Sequence, residues 1–145
     1  MSLYELVYTS LAERPMDTQA LTELLEEARV FNAEHGITGM LVYHRQEFLQ
    51  LLEGDEVEVK ALFERICRDQ RHRQVYAMWE GPLAERSFDQ WAMAFVAPAD
   101  DQLIGRPGYV DLRSEGLLSL GRRPTCGRSL IRNLRADFLT SDSTF

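Results

Sequence analysis

The stretch from Gly36 to Gly54 constrains the fold more than any other. Two apolar runs, Met40 to Tyr43 and Phe48 to Leu52, flank the polar residues His44, Arg45, Gln46 and Glu47. Short runs rich in sheet formers, bounded by glycines and split by a polar break, read as the two strands of a hairpin. The break carries no Asn-Gly or Asp-Gly, so other residues must make the turn. Gln50 stands inside the second run, between Leu49 and Leu51. Strand alternation puts it on the face of Phe48 and Leu52. A primary amide there has two donors and an oxygen with two lone pairs to satisfy, and stranding them costs about 1–3 kcal/mol. Gln50 therefore needs a polar partner in the core, whether protein, water or a bound ligand.

The hairpin sits inside a longer alternation. Leu3 to Thr9 reads as a first strand with Tyr4, Leu6 and Tyr8 on one face. A core tyrosine bonded to backbone is the plain reading of Tyr8. Ala12 to Pro15 is expected as a loop. Asp17 is a good N-cap, with Met16 and Leu21 spaced as a hydrophobic staple. The helix it opens runs to about His35 on the stripe Leu21, Leu24, Leu25, Ala28 and Phe31, and Gly36 stops it. Asn32 lies at the edge of that stripe, where periodicity favours a surface position. A second helix follows from Asp55, with Glu58 at capping-box spacing and Val59, Leu62, Phe63, Ile66 and Cys67 as its buried stripe. Arg65 and Asp69 can pair on its surface, and Arg71-His72-Arg73 is expected to close it. Val75 to Glu80 and Phe88 to Phe95 read as a fourth and a fifth strand. Trp91, Met93 and Phe95 share a face of the fifth.

This order, β-α-β-β-α-β-β, predicts an α+β ferredoxin-like sandwich with both helices on one sheet face. From Pro98 the pattern loosens, with short helices expected at Ala99 to Ile104 and Gly127 to Leu139. We read residues 1–97 as one domain and 98–145 as a C-terminal helical extension with an interaction or output role. Its apolar residues could cover the open sheet face or supply a partner surface.

Several function classes have no support. A net charge of −7 argues against nucleic-acid binding, which needs a basic face. There is no membrane-length apolar run, and Met1-Ser2-Leu3-Tyr4-Glu5 does not read as a signal peptide. Cys67 and Cys126 make no disulfide framework, and Cys67 reads as a small core residue. A cytoplasmic protein is the default. His35, His44 and His72 lack metal-ligand spacing, and no P-loop, Gly-x-Ser-x-Gly or dinucleotide fingerprint occurs.

The polar residues nevertheless form a pattern. Leu6-Val7-Tyr8-Thr9-Ser10, Asn32, Gly36-Ile37-Thr38-Gly39-Met40-Leu41, Phe48-Leu49-Gln50-Leu51-Leu52-Glu53-Gly54, Arg68-Asp69-Gln70-Arg71-His72 and Arg86-Ser87-Phe88-Asp89-Gln90-Trp91-Ala92-Met93 occur in this order. Together they resemble the BLUF family, blue-light receptors that use flavin. The resemblance covers Leu3 to about Phe95.

It implies a ferredoxin-like fold with FAD between the two helices. Tyr8 would be the electron and proton donor, Gln50 the bridge from Tyr8 to the flavin, and Asn32 a ligand of the flavin edge. Arg65, Asp69 and His72 would be further pocket members. Leu24, Ala28, Ile37, Phe48 and Ile66 would wall the ring, and Trp91 and Met93 would carry the change to the fifth strand. Phe31 and Leu51 depart from residues common in the family. With no enzyme domain after Phe95, the resemblance is to the short members. These signal to a downstream protein or a sister subunit, so a homo-oligomer without nucleic-acid or membrane partners is expected. A flavin-dependent redox enzyme of the same fold is the alternative, and a cofactor-free binding module a third reading.

Overall fold

The protein is described from a computed structural model, which covers residues 2–88, 93–97 and 109–111. Its elements in chain order are β1 (Leu3–Ala12), α1 (Thr18–Glu34), β2 (Thr38–His44), β3 (Glu47–Asp55), α2 (Glu56–Arg68), β4 (His72–Pro82), β5 (Ala94–Ala97) and β6 (Tyr109–Asp111). The strands form one sheet in the order β4-β1-β3-β2-β5-β6. The first four pair antiparallel, whereas β5 runs parallel to β2 and β6 parallel to β5. α1 connects β1 to β2 with β3 inserted between them, and α2 connects β3 to β4 with β1 inserted. Two such split units make the expected ferredoxin-like fold.

Local chemistry sets the element ends. Asp17 accepts the Ala20 N–H at 2.8 Å and caps α1. At its other end Gly36 takes φ +66°, and the Ile37 N–H returns to the Asn32 carbonyl at 2.8 Å. This is a glycine-terminated helix end that aims the chain into β2. The hairpin break narrows to two residues, because His44 and Glu47 pair in the ladder. Arg45 and Gln46 then carry the turn at φ 52° and 67°, the mirror-image geometry that suits the strand twist. Asp55 caps α2 through the Val57 N–H.

The core lies between helices and sheet. Leu21, Leu24 and Leu25 of α1 and Val59 and Leu62 of α2 meet Leu6, Tyr8, Leu41, Tyr43, Phe48 and Leu52 of the strands. On the opposite sheet face Val7, Met40, Val42, Leu49 and Leu51 are buried too.

Some sequence expectations change. β1 extends through Ala12, because the Ala12 N–H bonds the Gln46 carbonyl. α2 stops at Arg68, so Arg65 and Arg68 fill its last turn and His72 opens β4. Cys67 is exposed, since it lies beyond the inward stripe of Val59 and Leu62. Asn32 is buried rather than on the surface. The fifth strand begins at Ala94 rather than Phe88, because the Ser87 and Phe88 N–H groups bond the Glu53 carboxylate instead of a ladder. β6 occupies part of the extension where no strand was expected. Trp91, Cys126 and the helices expected at Ala99 to Ile104 and Gly127 to Leu139 lie outside the described residues.

Candidate functional site

A cleft opens between α1 and α2 with the sheet as its floor. Leu24, Glu27, Ala28, Phe31 and Asn32 of α1 line it, helical spacing placing them on one side. Leu62, Arg65 and Ile66 of α2 and then Asp69, Arg71 and His72 line the other side. Tyr8, Leu41 and Gln50 form the floor. Of the residues expected at the site, Tyr8, Leu24, Ala28, Asn32, Gln50, Arg65, Ile66, Asp69 and His72 converge here. Ile37 and Phe48 do not line the cleft. Both are buried core residues, and the Phe48 ring packs 4.8 Å from that of His72.

Three floor residues are fixed by register. Tyr8 pairs with Gln50 across β1 and β3, and Leu41 pairs with Gln50 across β2 and β3. All three side chains therefore emerge on one face of adjacent strands. The Tyr8 hydroxyl donates to Gln50 Oε1, and Gln50 Nε2 donates to Met93 Sδ at 3.4 Å. The Arg29 Nε–H grips the Met93 backbone carbonyl at 3.0 Å. The result is a chain of contacts from β1 through β3 to the residue that precedes β5. Burial pushes the Tyr8 phenol well above its ordinary range, with smaller contributions from Cys67 and Asp69, so Tyr8 holds its proton and acts as a donor.

The rim is charged. Arg71 donates to Asp69 at 2.7 Å and to Glu27 at 2.9 Å, and its own N–H bonds Asp69 Oδ1 at 2.9 Å. The hydrogen bond from Arg71 holds the Asp69 carboxyl below its usual range against partial burial. Asp69 thus pairs with Arg71 rather than with Arg65. The Arg65 guanidinium instead lies 4.5 Å from the centre of the Phe31 ring, which stacks on His35 at 3.9 Å. His72 Nδ1 is 3.0 Å from Ser10 Oγ, and burial lowers the His72 pKa, with Asp69 opposing and Arg71 adding to the shift.

Glu27, Phe31, Leu41, Leu62 and Arg71 line the cleft without having been expected there as ligands. Helical spacing from Leu24, Ala28 and Asn32 would have added Glu27 and Phe31, and strand pairing with Gln50 would have added Leu41. The pull of Arg71 into the rim depends on where α2 ends. Among the described residues no cluster of three or more His, Cys, Asp or Glu could hold a metal ion, and no helix is long and apolar enough to cross a membrane.

A family profile described as BLUF, sensors of blue-light using FAD, matches residues 3–94. The photoactivated adenylate cyclase subunit beta of Euglena gracilis is 33% identical over 115 residues, which is 79% of this chain and 13% of that protein. The chain thus spans a small part of that relative. Among solved structures, the dark state of BlrB, a BLUF protein, is similar with a TM-score of 0.64 at 31% identity, covering 66% of this chain and 73% of that one. Klebsiella pneumoniae BlrP1 with FMN and cyclic diGMP gives a TM-score of 0.74 at 28% identity, over 93% of this chain and 35% of that one.

Proposed function

Because the chain belongs to the BLUF family of flavin-binding blue-light sensors, we propose that it is a photoreceptor that holds FAD in the cleft between α1 and α2. The donor set fits such a group. A flat heteroaromatic ring with polar edges needs aliphatic walls and a few placed polar groups. Leu24, Ala28, Leu62 and Ile66 supply the walls, while Asn32, Gln50, Asp69, Arg71 and His72 supply the polar groups. A bound flavin would supply the blue absorption and a strongly oxidising excited state.

The observation that carries this reading is the buried chain Tyr8–Gln50–Met93. Tyr8 is the donor of an electron and of its hydroxyl proton. Losing and regaining that proton breaks and remakes the bond to Gln50. An amide can present a donor or an acceptor at the same place, so Gln50 can close the bond again in a second arrangement. Met93 then loses its present contact. The two arrangements make the protein a switch rather than an enzyme, since no product forms.

Output leaves through Met93, and in company with Trp91, toward β5 and the residues from 98 onward. We assign residues 98–145 as the output segment, acting on a partner protein or a sister subunit of a homo-oligomer in the cytoplasm. The pairing of β6 with β5 supports this route.

The test is the absorption of the purified protein in darkness and after blue light, with the released flavin identified by chromatography. A flavin spectrum that shifts red and reverts in the dark is expected. A bound flavin that does not shift but turns over a reductant would instead favour the redox enzyme. A colourless protein that takes up no added flavin would sink the assignment.

A further inference from the structure

Glu53 is fully buried and takes no part in the cleft. Its Oε2 accepts the Ser87 N–H at 2.9 Å, and its Oε1 accepts the Phe88 N–H at 2.6 Å and the Thr38 hydroxyl at 2.9 Å. Arg86 closes the same knot from outside. It donates to the Thr38 hydroxyl at 2.9 Å, to the Glu53 backbone carbonyl at 3.2 Å and to the Gly36 carbonyl at 2.7 Å. Ser87 and Phe88 are themselves buried, so without the carboxylate their N–H groups would lose a charge-assisted acceptor. Burial raises the Glu53 pKa, and the N–H groups of Ser87 and Phe88 oppose that shift.

Two features give this knot a place in the light response. Glu53 lies three residues beyond Gln50 on β3, about 10 Å along a rigid strand, and points to the opposite sheet face. The segment it grips runs on to Met93, five residues past Phe88, and Met93 is the residue that Gln50 touches. One strand thus carries both the amide that touches Met93 and the carboxylate that holds Ser87 and Phe88, which precede Met93 in the chain.

We propose that Glu53 is a positioning residue, which anchors Ser87 and Phe88 so that Met93 returns to Gln50 after light. This rests on the photoreceptor reading above. Gln50 and Met93 make the contact, and Glu53 acts on it only through the backbone it holds. With the anchor weakened, Met93 samples more positions and the Gln50 contact is regained more slowly.

The test compares the full chain with Glu53→Gln and Thr38→Val. E53Q keeps length and one acceptor oxygen but presents an amide donor to one of the two N–H groups. T38V deletes one bond to Glu53 and one from Arg86 but leaves both acceptors of the Ser87 and Phe88 N–H groups in place. In flavin-free protein, whichever of the Ser87 and Phe88 amides faces the new NH2 in E53Q is expected to exchange about tenfold faster, with Leu51 unchanged. In the flavin-loaded protein the red shift persists but reverts about tenfold more slowly in E53Q, and within about twofold of the parent in T38V. Glu53→Asp, which keeps the charge and withdraws it by one methylene, takes the same measurements if E53Q does not fold. Equal slowing in E53Q and T38V overturns the proposal, as does unchanged recovery despite faster exchange. A parent chain with no red shift overturns the photoreceptor reading instead, and the exchange data still report on the anchor.

Discussion

Tyr8 and Gln50 are direct partners across the β1–β3 ladder, and their side chains close a buried hydrogen bond at the floor of the cleft. Burial keeps the phenol protonated, and in this arrangement its O–H donates to the Gln50 oxygen while the Gln50 NH2 faces Met93. A protonated hydroxyl can also accept, so the same pair has a second hydrogen-bonded arrangement open to it.

Tyr8→Phe tests the donor. The ring volume stays, so packing in the cluster with Leu6, Leu41 and Leu52 should survive. We expect flavin to bind and the light-induced red shift to vanish, read by absorption before and after blue light. A normal reversible shift would remove Tyr8 from the mechanism.

Gln50→Leu tests the amide. Leucine fills similar space but leaves the buried Tyr8 hydroxyl without its partner, at a cost of about 1–3 kcal/mol in unfolding free energy. The variant should bind flavin, unfold at lower denaturant and show no light response. A variant that still cycles would move the switch elsewhere.

Why Gln50 was legible in the sequence and Arg71 was not has a physical cause. A polar residue inside an apolar strand announces an unmet bond, and alternation alone assigns its face. Both helices and the order of the first four strands followed from periodicity in the same way. Periodicity hid Asn32, which only the family resemblance assigned to the site, because it stands at the rim of a helical stripe, where a small rotation decides between solvent and cleft. The beginning of β5 was hidden because Glu53, distant in sequence, captures the N–H groups of Ser87 and Phe88. Arg71 was hidden because α2 ends at Arg68, which turns an expected helix-end cation into a rim residue.

Gly39→Ala should damage the hairpin. A Cβ at Gly39 would drive into the backbone carbonyl of Leu51, and backbone on a paired strand cannot step aside. We expect a loss of at least about 2 kcal/mol, measured by denaturant unfolding, with flavin affinity falling because Leu41 and Gln50 share that ladder. Unchanged stability would show that β2 and β3 can part locally without cost.

His72 should make stability fall in mild acid. Its folded pKa lies below the ordinary 6.5, mainly through burial. Between the folded value and 6.5 the unfolded chain binds more protons. The contribution is therefore present above 6.5 and is lost as pH falls through that window. His72→Gln keeps a polar group near Ser10 and should flatten the parent's decline in unfolding midpoint below 6.5. Identical pH profiles for the two proteins would show that His72 titrates alike in both states.

The output route can be tested without removing any residues. β5 pairs with β2 through Met40–Ala94, Leu41–Phe95 and Val42–Val96, and β6 pairs with β5 through Val96–Val110. Leu41 also pairs with Gln50, so Gln50 and β6 are joined by continuous backbone pairing through β2 and β5. Coupling requires this pairing to have two arrangements whose balance the cleft biases. Val110→Pro removes one backbone donor and restricts the chain at β6. It lies away from the cleft, so flavin binding and the red shift should remain. In the parent, blue light should change hydrogen exchange across 94–97 and 109–111 and the solution mass of the full chain. In V110P the change at 109–111 and the change in mass should both be lost. A variant whose light-dependent exchange and mass match the parent would show that the signal leaves by another path.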